Sequence, residues 1–192
     1  SFLLSFHISL EVKQFSQVKR PTMDSTRIKM KETLSLFRQE LRNLKKRNGE
    51  KPTIERGLTV HKRAAGRLRS EGKLINTCKR VGEVPGIVTG DVFESRAEMY
   101  VVGLHRLFEG GIDYVKEDGS LLATSVVDSG RYANVATNDW FVYSGCGGND
   151  GSNQKLQRGN LALKNCILRR TPVRVIRKNR FGSSFRYCGL FF

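Results

Sequence analysis

The sequence has no pair of cysteines close enough in the chain to grip a metal. Cys78, Cys146, Cys166 and Cys188 are scattered, no Cys-x-x-Cys occurs, and His7, His61 and His105 are equally dispersed. A structural zinc site is therefore not expected, and the thiols read as reduced cysteines of an intracellular protein. No apolar run approaches the roughly 20 residues that span a bilayer. The opening Ser1-Phe2-Leu3-Leu4-Ser5-Phe6 is interrupted by His7, Glu11 and Lys13 and has no basic region before it, which argues against a signal peptide. The first residue is serine, which points to a fragment or a processed product. Catalytic signatures are missing as well: no Gly-x-Ser-x-Gly elbow, no P-loop, and no His-x-Glu with a following Pro-Cys-x-x-Cys. Gly145-Cys146-Gly147-Gly148 lacks the lysine and helix start of a phosphate cradle, and without a local histidine Cys146 reads as a turn residue and not a nucleophile. There is no internal repeat and no low-complexity tract.

What the sequence does have is positive charge, +16 over 192 residues, unevenly placed. Residues 1–80 hold 20 Lys/Arg against 7 Asp/Glu (+13), residues 81–160 hold 6 against 11 (−5), and residues 161–192 hold 8 against none (+8). Two basic flanks around an acidic-to-neutral centre suit a polyanion, with a separate reading site between them. The competing reading is that charge runs only solvate helix faces; between nucleic acid and a membrane surface, this balance favours nucleic acid.

Local patterns divide the chain into an N-terminal segment (1–24) that is disordered or extended, a basic helical region (25–80) and a strand-rich region (81–192). In residues 25–47, Met30, Leu34, Phe37, Leu41 and Leu44 fall on one helical stripe. Asp24 or Ser25 is placed to cap it, Asn48-Gly49 ends it, and Lys45, Lys46 and Arg47 complement its dipole. Residues 59–70 predict a second helix with Val60, Ala64 and Leu68 inward, Gly72 as C-cap, and Lys62, Arg63, Arg67 and Arg69 crowded on it. Two helices this short need a partner surface. Further on, Phe93–Val101 alternates as a half-buried strand, and Asp118-Gly119 joins Ile112–Val115 to Leu121–Val127 as a hairpin. Trp140–Ser144 reads as a strand, Asn160 as the cap of a short helix through Leu168, and Pro172–Arg177 as a strand. Short strands with Gly-rich turns predict a twisted, barrel-like sheet.

Two tyrosines lie where this sheet meets loops: Tyr132, after Ser129-Gly130-Arg131, and Tyr143, at the end of an apolar strand. Rings so placed are able to sandwich a planar base, or they are core-edge tyrosines with solvated hydroxyls. His105-Arg106 reads equally as a phosphate contact or as a strand cap.

A series of motifs narrows these alternatives. Val84-Pro85-Gly86-Ile87, Gly90-Asp91-Val92-Phe93, Arg96-Ala97-Glu98 and Gly103-Leu104-His105 are followed by Gly110-Gly111-Ile112-Asp113-Tyr114 and Tyr143-Ser144-Gly145-Cys146-Gly147-Gly148. Gly159-Asn160-Leu161-Ala162-Leu163-Lys164-Asn165 and Pro172-Val173-Arg174-Val175-Ile176-Arg177 complete the series. In this order they resemble the SRA (YDG) domain, in the wording found in plant suppressor-of-variegation-type histone lysine methyltransferases. With the preceding helices the resemblance runs from about Arg27 to Phe192.

The resemblance implies an α+β fold: a curved, barrel-like SRA (PUA-like) sheet with flanking helices and an N-terminal helical hairpin. It implies a reader module of chromatin silencing, in the nucleus, that binds double-stranded methylated DNA by flipping out the methylcytosine; histones or other chromatin proteins are further partners, and neither a membrane nor a cofactor is. The base would stack between Tyr132 and Tyr143, with Gly130 lining the pocket. Asn134 would accept from the cytosine amino group where the family has an acidic residue, a bond that loses the charge assistance of a carboxylate. Ser144 would serve the other side of the base edge. The wedge that fills the vacated space corresponds to Glu109, Gly110 and Gly111, and a glutamate among phosphates predicts weaker flipping. Arg106, Arg131, Arg174 and Arg177 are the expected phosphate contacts, together with basic residues of the helices and of 169–186. Tyr187-Cys188-Gly189-Leu190-Phe191 takes the place of the family's Tyr-Asp-Gly-Leu-Tyr, with Cys188 for the aspartate, and the family's final strands are expected to be missing. No pre-SET or SET segment is in the sequence, so methyltransferase activity is not expected of it. The alternatives are an N-terminal fragment of a histone lysine N-methyltransferase lacking its SET domain, or a remnant with only non-specific DNA binding.

Overall fold

A computed structural model describes residues 7–11, 24–47, 54–130, 140–145 and 154–192. In chain order the elements are β1 (His7–Glu11), α1 (Ser25–Arg47), α2 (Ile54–Ser70), β2 (Val92–Phe93), α3 (Arg96–Val101), β3 (Ile112–Glu117), β4 (Ser120–Asp128), β5 (Trp140–Ser144), α4 (Arg158–Arg169), β6 (Val173–Lys178) and β7 (Phe185–Phe191). Five strands form a mixed sheet in the order β2-β7-β6-β4-β3, parallel only between β4 and β6, while β1 pairs antiparallel with β5 in a separate ribbon.

α1 forms where its stripe predicts, burying Met30, Leu34, Phe37 and Leu44, and Asp24 caps it by accepting from the Thr26 N–H (3.4 Å) and hydroxyl (2.8 Å). α2 begins five residues before the predicted start at Thr59 and ends as expected: Gly72, at φ +66°, lets the Lys73 N–H reach the Leu68 carbonyl (2.9 Å). The hairpin is also as read, with Asp118 (φ +46°) and Gly119 (φ +75°) in the left-handed region that a two-residue turn requires.

Two expectations are corrected. Phe93–Val101 is not one strand: after Phe93 the chain turns into α3, because the Ser95 hydroxyl accepts the Glu98 N–H (3.3 Å) in a Ser-x-x-Glu start. Asn160 does not cap α4: Gln157 holds the N-cap position, without a side-chain bond to the helix, and Asn160 lies inside the first turn, donating to the Lys155 carbonyl (3.0 Å). The Asn48-Gly49 stop lies outside the described residues.

The sheet is buried on both faces. On one, α1, α2 and α3 pack with Phe93, Leu104, Val127, Ile176, Phe185 and Tyr187; on the other, α4 packs with Ile112, Leu122, Val126, Tyr143, Val173 and Val175. The basic helices thus share a core with the sheet. Polar bolts reinforce this: Arg27 holds Asp91, and Arg38 donates to the buried Glu98 carboxylate from Nε (2.7 Å) and Nη2 (3.1 Å). Among the described residues Cys78, Cys166 and Cys188 are free thiols.

Candidate nucleic-acid interface

The strand directions gather four connections at one end of the sheet. β3 starts at Ile112 opposite the end of β4, and the Val127 N–H donates to the Gly111 carbonyl (2.8 Å). β6 runs parallel to β4, setting Arg177 beside Asp128, and turns into β7 so that Lys178 faces Phe185. Phe93 pairs with Phe185 in turn. The 107–111 loop, the segment after Asp128, the β6–β7 turn and the start of α3 therefore leave the sheet on the same side.

The 107–111 loop is held from behind by a buried histidine. His105 is fully buried; its Nε2 lies 3.0 Å from the Gly110 carbonyl and its Nδ1 2.8 Å from the Ser125 hydroxyl. A carbonyl only accepts, so Nε2 carries the proton and Nδ1 accepts from Ser125. Burial pushes the imidazole down to about 4, against the opposing pull of Asp113 and the Gly110 carbonyl, so the ring is neutral. Arg96 Nη1 donates to the same Gly110 carbonyl (2.7 Å). At the base of the loop the buried Asp113 carboxylate accepts from the Arg106 N–H (2.8 Å), the Tyr114 N–H (2.9 Å) and Lys79 Nζ (2.5 Å).

The outer side of the loop meets the helices. Phe108 stacks on Tyr100 (centroids 4.6 Å apart), and the exposed Glu109 carboxylate meets Lys62 Nζ of α2 at 2.5 Å. Lys62 holds the Glu109 carboxyl below its ordinary value. On the far side of the sheet Gly145 is pinched between Gln154 and Asn160: an added Cβ would lie 2.6 Å from Gln154 Oε1 and 2.9 Å from Asn160 Oδ1. Gln154 also donates to the Gly145 carbonyl (2.7 Å).

With this geometry in place, residues 80–192 match the family described as the SAD/SRA domain. The chain belongs to the SAD/SRA domain family. Relatives of this SRA chain include the H3 lysine-9 specific histone-lysine N-methyltransferases SUVH5 of Arabidopsis thaliana, 42% identical over 80% of this chain and 21% of the relative, and SUVH3, 46% identical over 67% and 22%. The chain thus spans about a fifth of the length of these enzymes. A YDG domain-containing protein of the same plant is 37% identical over 86% of this chain and 55% of its own length. Among solved structures, KRYPTONITE in complex with mCHG DNA and SAH superimposes with a TM-score of 0.75 at 29% identity, covering 86% of this chain and 38% of that one. The SUVH5 SRA domain in complex with fully methylated CG DNA gives 0.54 at 47% identity, over 58% and 77%. The curved mixed sheet with flanking helices is the SRA architecture that the motifs predicted.

The expected site residues of the SRA chain fall into three groups. Arg131, Tyr132 and Asn134 lie outside the described residues. Glu109, Gly110 and Gly111 form the held loop, Gly130 (φ +73°) closes β4 with its N–H on Asp128 (3.0 Å), Tyr143 is buried in the α4-side core and Ser144 is half-buried. Arg174 is corrected: it is buried, with Nε on the Leu104 carbonyl (3.2 Å) and Nη1 on those of Arg80 (2.9 Å) and Gly82 (2.6 Å), and burial lowers it to about 10. Its side of β6 faces the helical layer instead of solvent, so it staples the core and does not meet phosphate. Arg106 is half-buried, with Nη1 on the Asn76 (3.1 Å) and Thr77 (2.6 Å) carbonyls and its guanidinium over Tyr100 (5.4 Å), which also takes it inward. Arg177, 3.5 Å from Asp128, remains at the loop-bearing end. The sequence left His105 open between a phosphate contact and a strand cap; it is instead buried and braces the loop, a role that a lone histidine does not signal, and Asp113, at the base of the loop, entered only as part of a motif.

Proposed function

We propose that this chain is a reader of methylated cytosine in double-stranded DNA, a binding module that flips the modified base and acts in chromatin silencing in the nucleus. The observation that carries the reading is the convergence at one sheet end of the held 107–111 loop and the segment that starts at Gly130, at strand ends fixed by the Val127–Gly111 bond. Flipping costs a few kcal/mol of stacking and pairing, so something must fill the gap and something must receive the base. The loop, with Glu109 at its tip and Gly110 and Gly111 letting the backbone approach, fills it. Tyr143, fixed in the core, and Tyr132 receive the base, Asn134 and Ser144 read its edge, and Gly130 leaves room. Arg131 and Arg177, with the basic helices, meet phosphates. The complexes of the related SUVH5 SRA domain with fully methylated CG, hemi-methylated CG and methylated CHH DNA support this assignment.

A second reading follows from the relatives: that the stretch is the DNA-reading part of a histone lysine N-methyltransferase, with no catalytic residue of its own, since it corresponds to about a fifth of SUVH5 and SUVH3. Downstream coding sequence tests this reading, which predicts a cysteine-rich pre-SET segment. The flipping itself is tested with 2-aminopurine beside the methylcytosine. Wild-type protein should raise its fluorescence on binding and Tyr132→Ala should not; an unchanged signal with the wild type rejects the mechanism.

A further inference from the structure

The β6–β7 turn carries a side chain that the fold does not use. Asn179 and Ser184 close the turn, through the Asn179 N–H on the Ser184 carbonyl (2.8 Å) and a bond between their side chains, and the Gly182 N–H returns to the Asn179 carbonyl (3.4 Å). At its tip Phe181 is fully exposed, between exposed Lys178 and Arg180 on one side and exposed Arg186 on the other. No acidic residue occurs anywhere in 161–192. A preformed turn that presents an aromatic ring among cations gains nothing from the ring in the free protein. It matches a surface that offers anions flanking apolar rings, which is the edge of a nucleic-acid duplex.

We infer that the Arg180-Phe181 tip is a second DNA contact, in which Phe181 packs on the sugar and base surface of the duplex beside the flipped position while Lys178 and Arg180 take the adjacent phosphates. This rests on the DNA-reading function proposed above and adds a site to it. The topology supplies the placement: the turn leaves the sheet at the end where β4 delivers Gly130 and where Gly111 enters β3. A duplex lying across that end would meet the turn one strand away from the base-receiving segment. The tip has no group that reads a methyl, so it contributes to affinity and register and not to methyl preference.

The test uses the full chain and fluorescence anisotropy on two duplexes that differ only in one central methylcytosine, over a series of salt concentrations. Phe181→Ala should weaken binding to both by about tenfold, with an unchanged slope of log K against log salt, and Phe181→Trp should restore it. Arg180→Gln should lower that slope by about 0.9, the share of one phosphate. Melting temperatures of all three variants should match wild type, since the side chains are exposed. Phe181→Ala binding as tightly as wild type overturns the inference, whatever the methyl preference. If wild type shows no methyl preference and Phe181→Ala still weakens both duplexes, the tip stands and the base-reading proposal falls.

Discussion

Arg174→Met separates a structural from a DNA-contacting role for the most deeply buried of the described arginines that the sequence assigns to phosphate. In the folded chain its guanidinium joins three carbonyls from two segments, Leu104 on one side and Arg80 and Gly82 on the other, inside the helical layer. Methionine fills most of the volume but donates nothing. The Leu104 carbonyl is then orphaned in a buried site, at a cost of about 1–3 kcal/mol, and the two partly buried carbonyls each lose a charge-assisted bond worth about 1.5–3 kcal/mol before water replaces it. Relief of the arginine's own desolvation, which already lowers it to about 10, offsets part of this. A net loss of about 3 kcal/mol results, or roughly 6–12 °C in Tm for a chain of this size. Urea denaturation followed by circular dichroism measures it, with duplex affinity measured in parallel well below the midpoint. An unchanged midpoint together with a shallower salt dependence of DNA binding would refute the buried staple and restore the phosphate role.

Stability should fall in mild acid because His105 resists protonation. Its pKa is about 6.5 unfolded and about 4 folded, so between those values the unfolded chain binds the extra proton. The contribution is fully present above pH 6.5 and is lost as pH falls toward 4, at about 1.4 kcal/mol per unit and about 3 kcal/mol in all. Urea midpoints between pH 7 and 4.5 should fall more steeply for wild type than for His105→Gln; equal slopes would show that the histidine is not held neutral. Gly103→Ala should cost about 2–4 kcal/mol in the same assay, since φ is +78° and the new Cβ would lie 2.4 Å from the Asn76 carbonyl oxygen. Glu109→Gln should tighten duplex binding roughly threefold at low salt by removing a like charge from the phosphates, with a smaller gain at high salt. A loss of affinity on that substitution would mean that the carboxylate itself makes a contact.

Where local forces decide the structure, the sequence announced it. The Met30-to-Leu44 stripe, the Asp118-Gly119 turn and the Gly72 cap each depend on residues a few positions apart, and each forms as read. The alternation in Phe93–Val101 misled because a six-residue helix is too short to display its period, while the decisive signal, Ser95 three residues before Glu98, is a capping pattern. Arg174 misled for a different reason. It shares one face of β6 with Ile176, opposite Val173 and Val175; β6 is central in a sheet covered on both sides, and only the tertiary packing of α1–α3 turns the face of Arg174 into core. The pairing of β1 with β5, more than a hundred residues apart, has no local signature at all. The wedge role expected of the 107–111 loop comes only from resemblance; the support of the loop by His105, Arg96 and Asp113 is a property of the fold.

A reader of methylcytosine must distinguish methylated from unmethylated duplexes. Equilibrium anisotropy with unmethylated, hemimethylated and fully methylated versions of one duplex, at two salt concentrations, tests it most directly. Base flipping predicts at least about tenfold tighter binding to a methylated duplex, with a ratio that survives the higher salt because it comes from an enclosed base and not from phosphates. Equal affinities for all three, falling together as salt rises, would contradict it.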